Sequence, residues 1–255
     1  MDRSSATGLK KSIASPAANG VNGRQIHNKI LLALPDYERT AVFANLEFVS
    51  LPTSTVLNEV EEPIEFAFFL NEGLASILSI TSDGKSVEVG LSGREGFVGI
   101  PLTAGFHSSP TRVIMQVEGN GFRLAARDLI VALRGCPKLA TGLQRFAQEV
   151  ALQSSQVAAC NRLHEVDERL ARWLLMSQDR LGGDVVPLTQ EFLAHMLGTR
   201  RASVTVAAGM LQKAGIITHT RGAVKIESRT HLEDAACECY GIMTKQIEKW
   251  HAEAS

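Results

Sequence analysis

The residues best equipped for chemistry in this chain are two adjacent arginines, Arg200 and Arg201, just after a glycine that separates two short amphipathic segments. Ahead of Gly198, the residues Phe192, Leu193, Met196 and Leu197 make one apolar helical face. Thr189 can cap that helix, its hydroxyl accepting from a backbone N–H two or three residues on. Behind the glycine, Val204, Ala207, Ala208 and Leu211 make the inward face of a second helix that Gly215 stops. Two helices joined by a short Gly-containing turn form a helix-turn-helix. Ile216–Thr220 and Val224–Ile226, flanking Arg221-Gly222, add a β-hairpin wing.

In such a module the front of the second helix enters the DNA major groove first. Arg200 and Arg201 can each offer a bidentate fork to guanine O6 and N7, worth about 1–3 kcal/mol of base discrimination. Thr199 at the helix start, and Ser203 and Thr205 on its polar face, can reach phosphate or base. Thr189 and Gln190 are placed for backbone phosphate, and Arg221 at the wing tip for phosphate or the minor groove. Charge agrees with this reading. Between Val186 and Thr230 six basic residues (Arg200, Arg201, Lys213, Arg221, Lys225, Arg229) face two acidic ones (Glu191, Glu227), a surplus of +4 on a chain of net charge −1. A local surplus on a near-neutral chain points to double-stranded DNA as the partner of this module alone. A winged helix that contacts another protein is the alternative.

Other constellations carry less. The seven histidines (27, 107, 164, 195, 219, 231 and 251) show no H-x-H or H-x3-H pair, and only His107 lies in the strand-like stretch from Leu46 to Arg123, so a metal-dependent enzyme is not expected. Cys237-Glu238-Cys239 alone is poor zinc spacing, and Cys237 and Cys239 read as structural; no metal and no cofactor are expected. Four cysteines, with Cys136 and Cys160, make no disulfide framework in 255 residues. Gly93-Arg94-Glu95-Gly96-Phe97-Val98-Gly99 opens no helix and is not a dinucleotide fingerprint. It reads as a loop rimming the β-rich domain, where Arg94 and Glu95, with Arg112, are the candidates for binding an effector.

These groups need a scaffold. With 45% hydrophobic and 21% charged residues the chain is globular. It has no apolar run near the roughly 20 residues of a membrane span, and Ser12–Gly23 is no signal-peptide core. A cytoplasmic location is expected. The reading divides it into a disordered polar tail (1–25), a β-rich sensor domain (26–135), a dimerisation helix (136–164), a winged helix-turn-helix domain (165–240) and a C-terminal tail (241–255). In the second segment Val87, Val89 and Leu91 alternate with polar residues beyond an Asp83-Gly84 turn, the strongest short hairpin signal. A second turn is expected at Gly119-Asn120-Gly121. Pro137 can open a long helix, on which Leu139, Leu143, Phe146, Val150, Gln153, Val157 and Cys160 recur at alternating spacings of four and three. That seam can pack on its own sheet or on a second copy; the polar Gln153 favours a homodimer coiled coil with fixed register. Cys160 would then meet its symmetry mate, the geometry of a redox-sensitive intersubunit disulfide.

In this order, and most specifically in Asp167-Glu168-Arg169-Leu170-Ala171-Arg172-Trp173-Leu174-Leu175, Leu188-Thr189-Gln190-Glu191-Phe192-Leu193-Ala194 and Leu197-Gly198-Thr199-Arg200-Arg201-Ala202-Ser203-Val204-Thr205, the chain resembles the Crp/Fnr family of bacterial transcription regulators over residues 28–240. The resemblance implies an α+β fold: an N-terminal cupin-like β-roll (jelly-roll), a long dimerisation helix and a C-terminal winged helix-turn-helix. It also implies a homodimer on palindromic promoter DNA and contact with RNA polymerase. The cyclic-nucleotide branch carries Arg-Glu at the start of its recognition helix and a further basic residue a turn later. Arg201 matches the first position, but Ala202 and Val206 stand at the others. That branch also holds its ligand with Gly-Glu and a later Arg-Ser. Here Gly99 is followed by Ile100 and Pro101, and Thr111 stands at the Arg position with Arg112 one residue on. A cyclic nucleotide is therefore not expected. Nor is the iron–sulfur cluster of the oxygen-sensing branch, since no cysteine precedes Cys136.

Overall fold

The computed structural model describes residues 20–188 and 190–254, and only the backbone of Gln190 and Glu191. Most of the expected tail (1–19) and Thr189 thus lie outside the described residues. Residues 20–25 are not tail: they form a small hairpin, β1 (Gly20–Val21) and β2 (Arg24–Gln25), because Val21 and the following Ile26 bury against the domain core. Two helices follow, α1 (Lys29–Leu32) and α2 (Asp36–Phe43).

Strands β3 (Glu47–Leu51), β4 (Val56–Asn58), β5 (Phe66–Ile80), β6 (Ser86–Ser92) and β7 (Thr111–Ala125) form one antiparallel sheet in the order β3-β7-β5-β6, with β4 also on β7. The fifteen-residue strands β5 and β7 pair from Phe66↔Ala125 to Ser79↔Thr111 with several register shifts, and such irregularities let long strands bend and coil. Phe69, Leu70, Met115, Phe122 and Leu124 are fully buried on this pair. The Asp83-Gly84 turn joins β5 to β6 as expected. Gly119-Asn120-Gly121, by contrast, is no turn but the interior of β7. A Cβ at Gly119 would stand 2.1 Å from the Glu72 oxygen, and one at Gly121 2.3 Å from that of Phe69. These glycines serve the close approach of two backbones, the other reason a strand contains them.

Helices α3 (Ala126–Gly135) and α4 (Pro137–Leu163) lead away from the sheet. The fully buried Glu38 of α2 caps α4, accepting from the N–H of Lys138 at 2.9 Å and of Leu139 at 2.8 Å. Glu38→Ala strands both donors, and we expect about 1–3 kcal/mol lower unfolding free energy in urea.

All seven seam residues of α4 are buried, but within their own protomer. Phe146 packs on Phe97 with ring centroids 5.8 Å apart, Val150 lies beside Gly90 of β6, and the Gln153 side chain accepts from Leu91 N at 3.2 Å. The expected coiled-coil seam is therefore corrected. The most apolar stripe of the helix is taken by the nearest apolar surface, the chain's own sheet. A disulfide from Cys160 to its symmetry mate falls with it, since Cys160 is fully buried.

The C-terminal half contains α5 (Val166–Leu181), opened by a Glu165/Glu168 capping box, then β8 (Val185–Val186), α6 (Gln190–Met196), α7 (Arg201–Lys213), β9 (Ile217–Thr220), β10 (Ala223–Ile226) and α8 (Arg229–Ala235). The wing is a three-stranded sheet, β8-β10-β9. The expected C-terminal tail is instead a helix, α9 (Cys239–Glu253). It folds back on α4, burying Met243 and joining His251 to Glu149 at 2.7 Å. Among the described residues no helix is long and apolar enough to cross a membrane.

Candidate nucleic-acid interface

The turn between α6 and α7 closes through Thr199 N–H to Ala194 C=O, with Gly198 in the left-handed region. Val204, Ala207, Ala208 and Leu211 bury against Leu193, Leu197, Ile216 and Ile217, which fixes the opposite face of α7 toward solvent. That face presents Arg201, Ala202, Thr205, Val206, Gly209 and Met210, with Arg200 exposed at the N-cap. Ser203 and Thr199 are half-buried, and the Thr205 hydroxyl donates to Arg201 C=O at 3.0 Å. Val206 and Met210, 63% and 48% exposed, are interface candidates the sequence reading passed over. Their signal was available: both fall outside the inward set of α7. Apolar contacts of this kind meet thymine methyl groups in a major groove.

The structure divides the basic surplus. Lys225 pairs with Glu227 at 2.7 Å, and Arg229 with Asp179 and Glu233 at 2.8 and 2.9 Å. Arg200, Arg201, Lys213 and Arg221 are exposed and make no ion pair among the described residues. They sit at the ends of α7 and at the wing tip, where phosphates would lie.

Of the effector candidates, Arg94 and Glu95 share a groove, while Arg112 stands apart from them. Glu95 is held by Arg180 of α5 at 2.9 Å, and Arg94 lines a groove with Glu95, Arg180 and α9. Arg112 makes a bidentate pair with Glu59. Between the sheet and α4 lies a partly open cavity of about 200 Å³, lined by Ile77, Val89, Phe97, Ile100, Val113 and Val150. Its polar lining is Asn58, Ser109, Thr111 and Ser154, without a charged side chain.

The sheet and the helix-turn-helix touch directly. Val87 of β6 packs at Gly198 in the helix-turn-helix, and Trp173 of α5 donates to the buried Glu88 of β6 at 2.8 Å.

A second constellation contradicts the sequence reading. Cys160, His164, Cys237 and Cys239 converge, with one ligand-type atom of each within 4.8 Å of all the others. The pair Cys237-x-Cys239 is poor zinc spacing by itself, but the fold supplies Cys160-x3-His164 opposite it. The expectation of no metal therefore does not stand on spacing. Cys237 hydrogen-bonds Cys160, which holds the Cys160 thiol down to about 5 and pushes Cys237 up.

Comparison with known proteins agrees with this architecture. Residues 168–235 match the Crp-like helix-turn-helix domain. No curated protein sequence matches the chain. Among solved structures, FixK2 from Bradyrhizobium japonicum is similar at 16% identity and a TM-score of 0.65, covering 75% of this chain and 98% of its own. A CRP/FNR-family transcriptional regulator from Thermus thermophilus is similar at 20% identity and a TM-score of 0.61, over 74% of this chain and 98% of its own. A putative transcriptional regulator of the same family from Eubacterium rectale matches at 14% identity and a TM-score of 0.62, over 79% and 94%. The chain thus carries a Crp-like helix-turn-helix domain on the fold of the Crp/Fnr transcription regulators.

Proposed function

We propose that this chain is a sequence-specific DNA-binding transcription regulator, not an enzyme, acting in the cytoplasm as a homodimer on a palindromic promoter site. The carrying observation is the set of four exposed cations without an ion pair among the described residues, Arg200, Arg201, Lys213 and Arg221, on a winged helix-turn-helix of a near-neutral chain. Phosphate is the polyanion that such a patch suits. The solved regulators of this fold support the reading, and contact with RNA polymerase follows from a place on promoter DNA.

The dimer uses the face of α4 opposite the buried seam. Thr141, Gln144, Gln148, Ala151, Ser155 and Ala158 recur there at spacings of three and four and are exposed. Small side chains in this stripe allow two helix axes to approach closely, and the pair sets two recognition helices about 34–36 Å apart. The β-roll is the sensor. Its cavity offers neither a cation for a phosphate nor a carboxylate for a ribose, so a cyclic nucleotide does not fit; the lining suits a smaller, largely apolar molecule. An N-terminal iron–sulfur centre has no cysteine to hold it before Cys136.

The test is retention of a randomised duplex library by the purified full chain at moderate salt. Enrichment of a two-fold palindrome is the expected result, with or without a cell extract fraction as the source of effector. Absence of retention at any salt would sink the DNA reading in favour of a winged helix that contacts protein.

A further inference from the structure

We infer that Cys160, His164, Cys237 and Cys239 form a mononuclear tetrahedral metal site, of the kind that takes Zn2+, at the hinge between the long helix and the DNA-binding domain. Two of the separations match those a single ion requires, and all lie within 4.8 Å. Zn–S of about 2.3 Å and Zn–N of about 2.0–2.1 Å at tetrahedral angles put two sulfurs about 3.8 Å apart, and sulfur and nitrogen about 3.6 Å apart. Cys160 and Cys237 Sγ stand 3.5 Å apart, and Cys239 Sγ lies 3.5 Å from His164 Nδ1.

The surroundings point the same way. His164 turns Nδ1 to the thiols while Nε2 lies 3.0 Å from the Glu238 carboxylate. A carboxylate on the far nitrogen is how proteins fix the tautomer and ring orientation of a ligating histidine. Gln156 directs its side-chain N–H to Cys239 Sγ at 3.2 Å, an interaction that favours a thiolate. All three thiols are buried, and the His164 side chain is 13% exposed.

Charge balance adds an independent reason. Arg172, 3% exposed, makes no ion pair among the described residues: its Nη1 reaches only the Met176 sulfur, and its Nε has no acceptor. Its charge bears on Cys160. Zn2+ held by three thiolates and a neutral imidazole leaves the site at net −1. That charge would sit beside the buried guanidinium, whose other acidic neighbour, Glu88, is pushed up to about 7.

The position gives the site a consequence. Cys160 lies in the last turn of α4, His164 is the first of the two extended residues that separate α4 from α5, Cys237 lies in the loop just before α9, and Cys239 begins α9. An ion there fixes the angle at which the DNA-binding domain leaves the long helix, and it does so whether or not the module reads DNA.

The full chain, purified under reducing conditions, is expected to contain one zinc per protomer by elemental analysis. After chelation, Co2+ is expected to restore the visible d–d bands of a tetrahedral thiolate site with one-to-one stoichiometry. Cys237→Ser and His164→Ala should each lose those bands, with far-ultraviolet dichroism reporting that the fold survives. Glu238→Gln, which touches no ligand sulfur and sits on the surface, should keep the stoichiometry and weaken affinity about 10–100-fold. Three results would overturn the site: no Co2+ bands in the wild-type chain, bands that persist unchanged in His164→Ala and Cys237→Ser, or a Cys160–Cys237 disulfide that forms at the same rate with and without Zn2+. Acid-labile sulfide in the purified chain would replace the single ion with a cluster and overturn it equally.

Discussion

Raising the pH from 5 to 8 is expected to lower the unfolding free energy by about 2–3 kcal/mol through Glu88, which ties the β-roll to the C-terminal module, and Glu88→Gln is expected to abolish that contribution. Glu88 is buried on β6, and burial first of all pushes its carboxyl from 4.5 up to about 7, against the opposing pull of Ser76, Trp173, Arg172 and Arg180. The local hydrogen bonds accommodate the same proton. Ser76 of β5 has one hydroxyl hydrogen but two acceptor oxygens beside it, Glu88 Oε2 at 2.7 Å and the Gln116 side chain of β7. A protonated Glu88 resolves the conflict by donating to Ser76, which donates on to Gln116, while Glu88 Oε1 still accepts from Trp173. Because the folded value exceeds the unfolded one, the folded state holds more protons between them. The stabilisation is complete below about 4.5 and is lost as pH rises through about 7. A shift of that size corresponds to about 3 kcal/mol. Urea unfolding across this range, compared between wild type and Glu88→Gln, isolates this group from others that titrate. The amide donates at every pH, so the difference between the two proteins should grow as pH rises; a constant difference would refute the assignment.

Arg201→Ala is expected to erase preference at one base position of each half-site and to cost about 1–3 kcal/mol there, roughly 5- to 150-fold in discrimination. Arg201 stands exposed in the first turn of α7 with no competing ion pair among the described residues. Its guanidinium is therefore available for a bidentate contact. Arg221→Ala, at the wing, provides the contrast. It should weaken all duplexes alike and reduce the salt dependence by about one phosphate per protomer, leaving the preferred sequence unchanged. Competition binding of a base-substituted panel at two salt concentrations separates the two outcomes. An unchanged preference in Arg201→Ala would move the reading position to Arg200 or to the Thr205–Met210 face.

The turn at Asp83-Gly84, the start of α4 at Pro137 and the inward set of α7 are properties of neighbouring residues, and each appears where local pattern places it. The resemblance and the basic module were legible for the same reason. Gly119-Asn120-Gly121 was misread because a strand glycine and a turn glycine share a sequence, and only the approach of β5 distinguishes them. The α4 seam was found at the right residues but given the wrong partner. A periodicity of three and four states that a helix face will be buried, yet carries nothing about what covers it. Lys225 and Arg229 counted toward a DNA-facing charge until the fold set Glu227, Asp179 and Glu233 beside them.

The sequence by itself thus determined most of the elements, their order and the face the long helix and the helix-turn-helix would bury, because those depend on backbone preferences and hydrophobic period over a few residues. Only the tertiary structure decided that the seam belongs to the protomer's own sheet, that Glu88 meets Trp173 across 85 positions, and that Cys160 and His164 stand against Cys237 and Cys239. Contacts between residues that far apart depend on how whole elements pack, which no local spacing records.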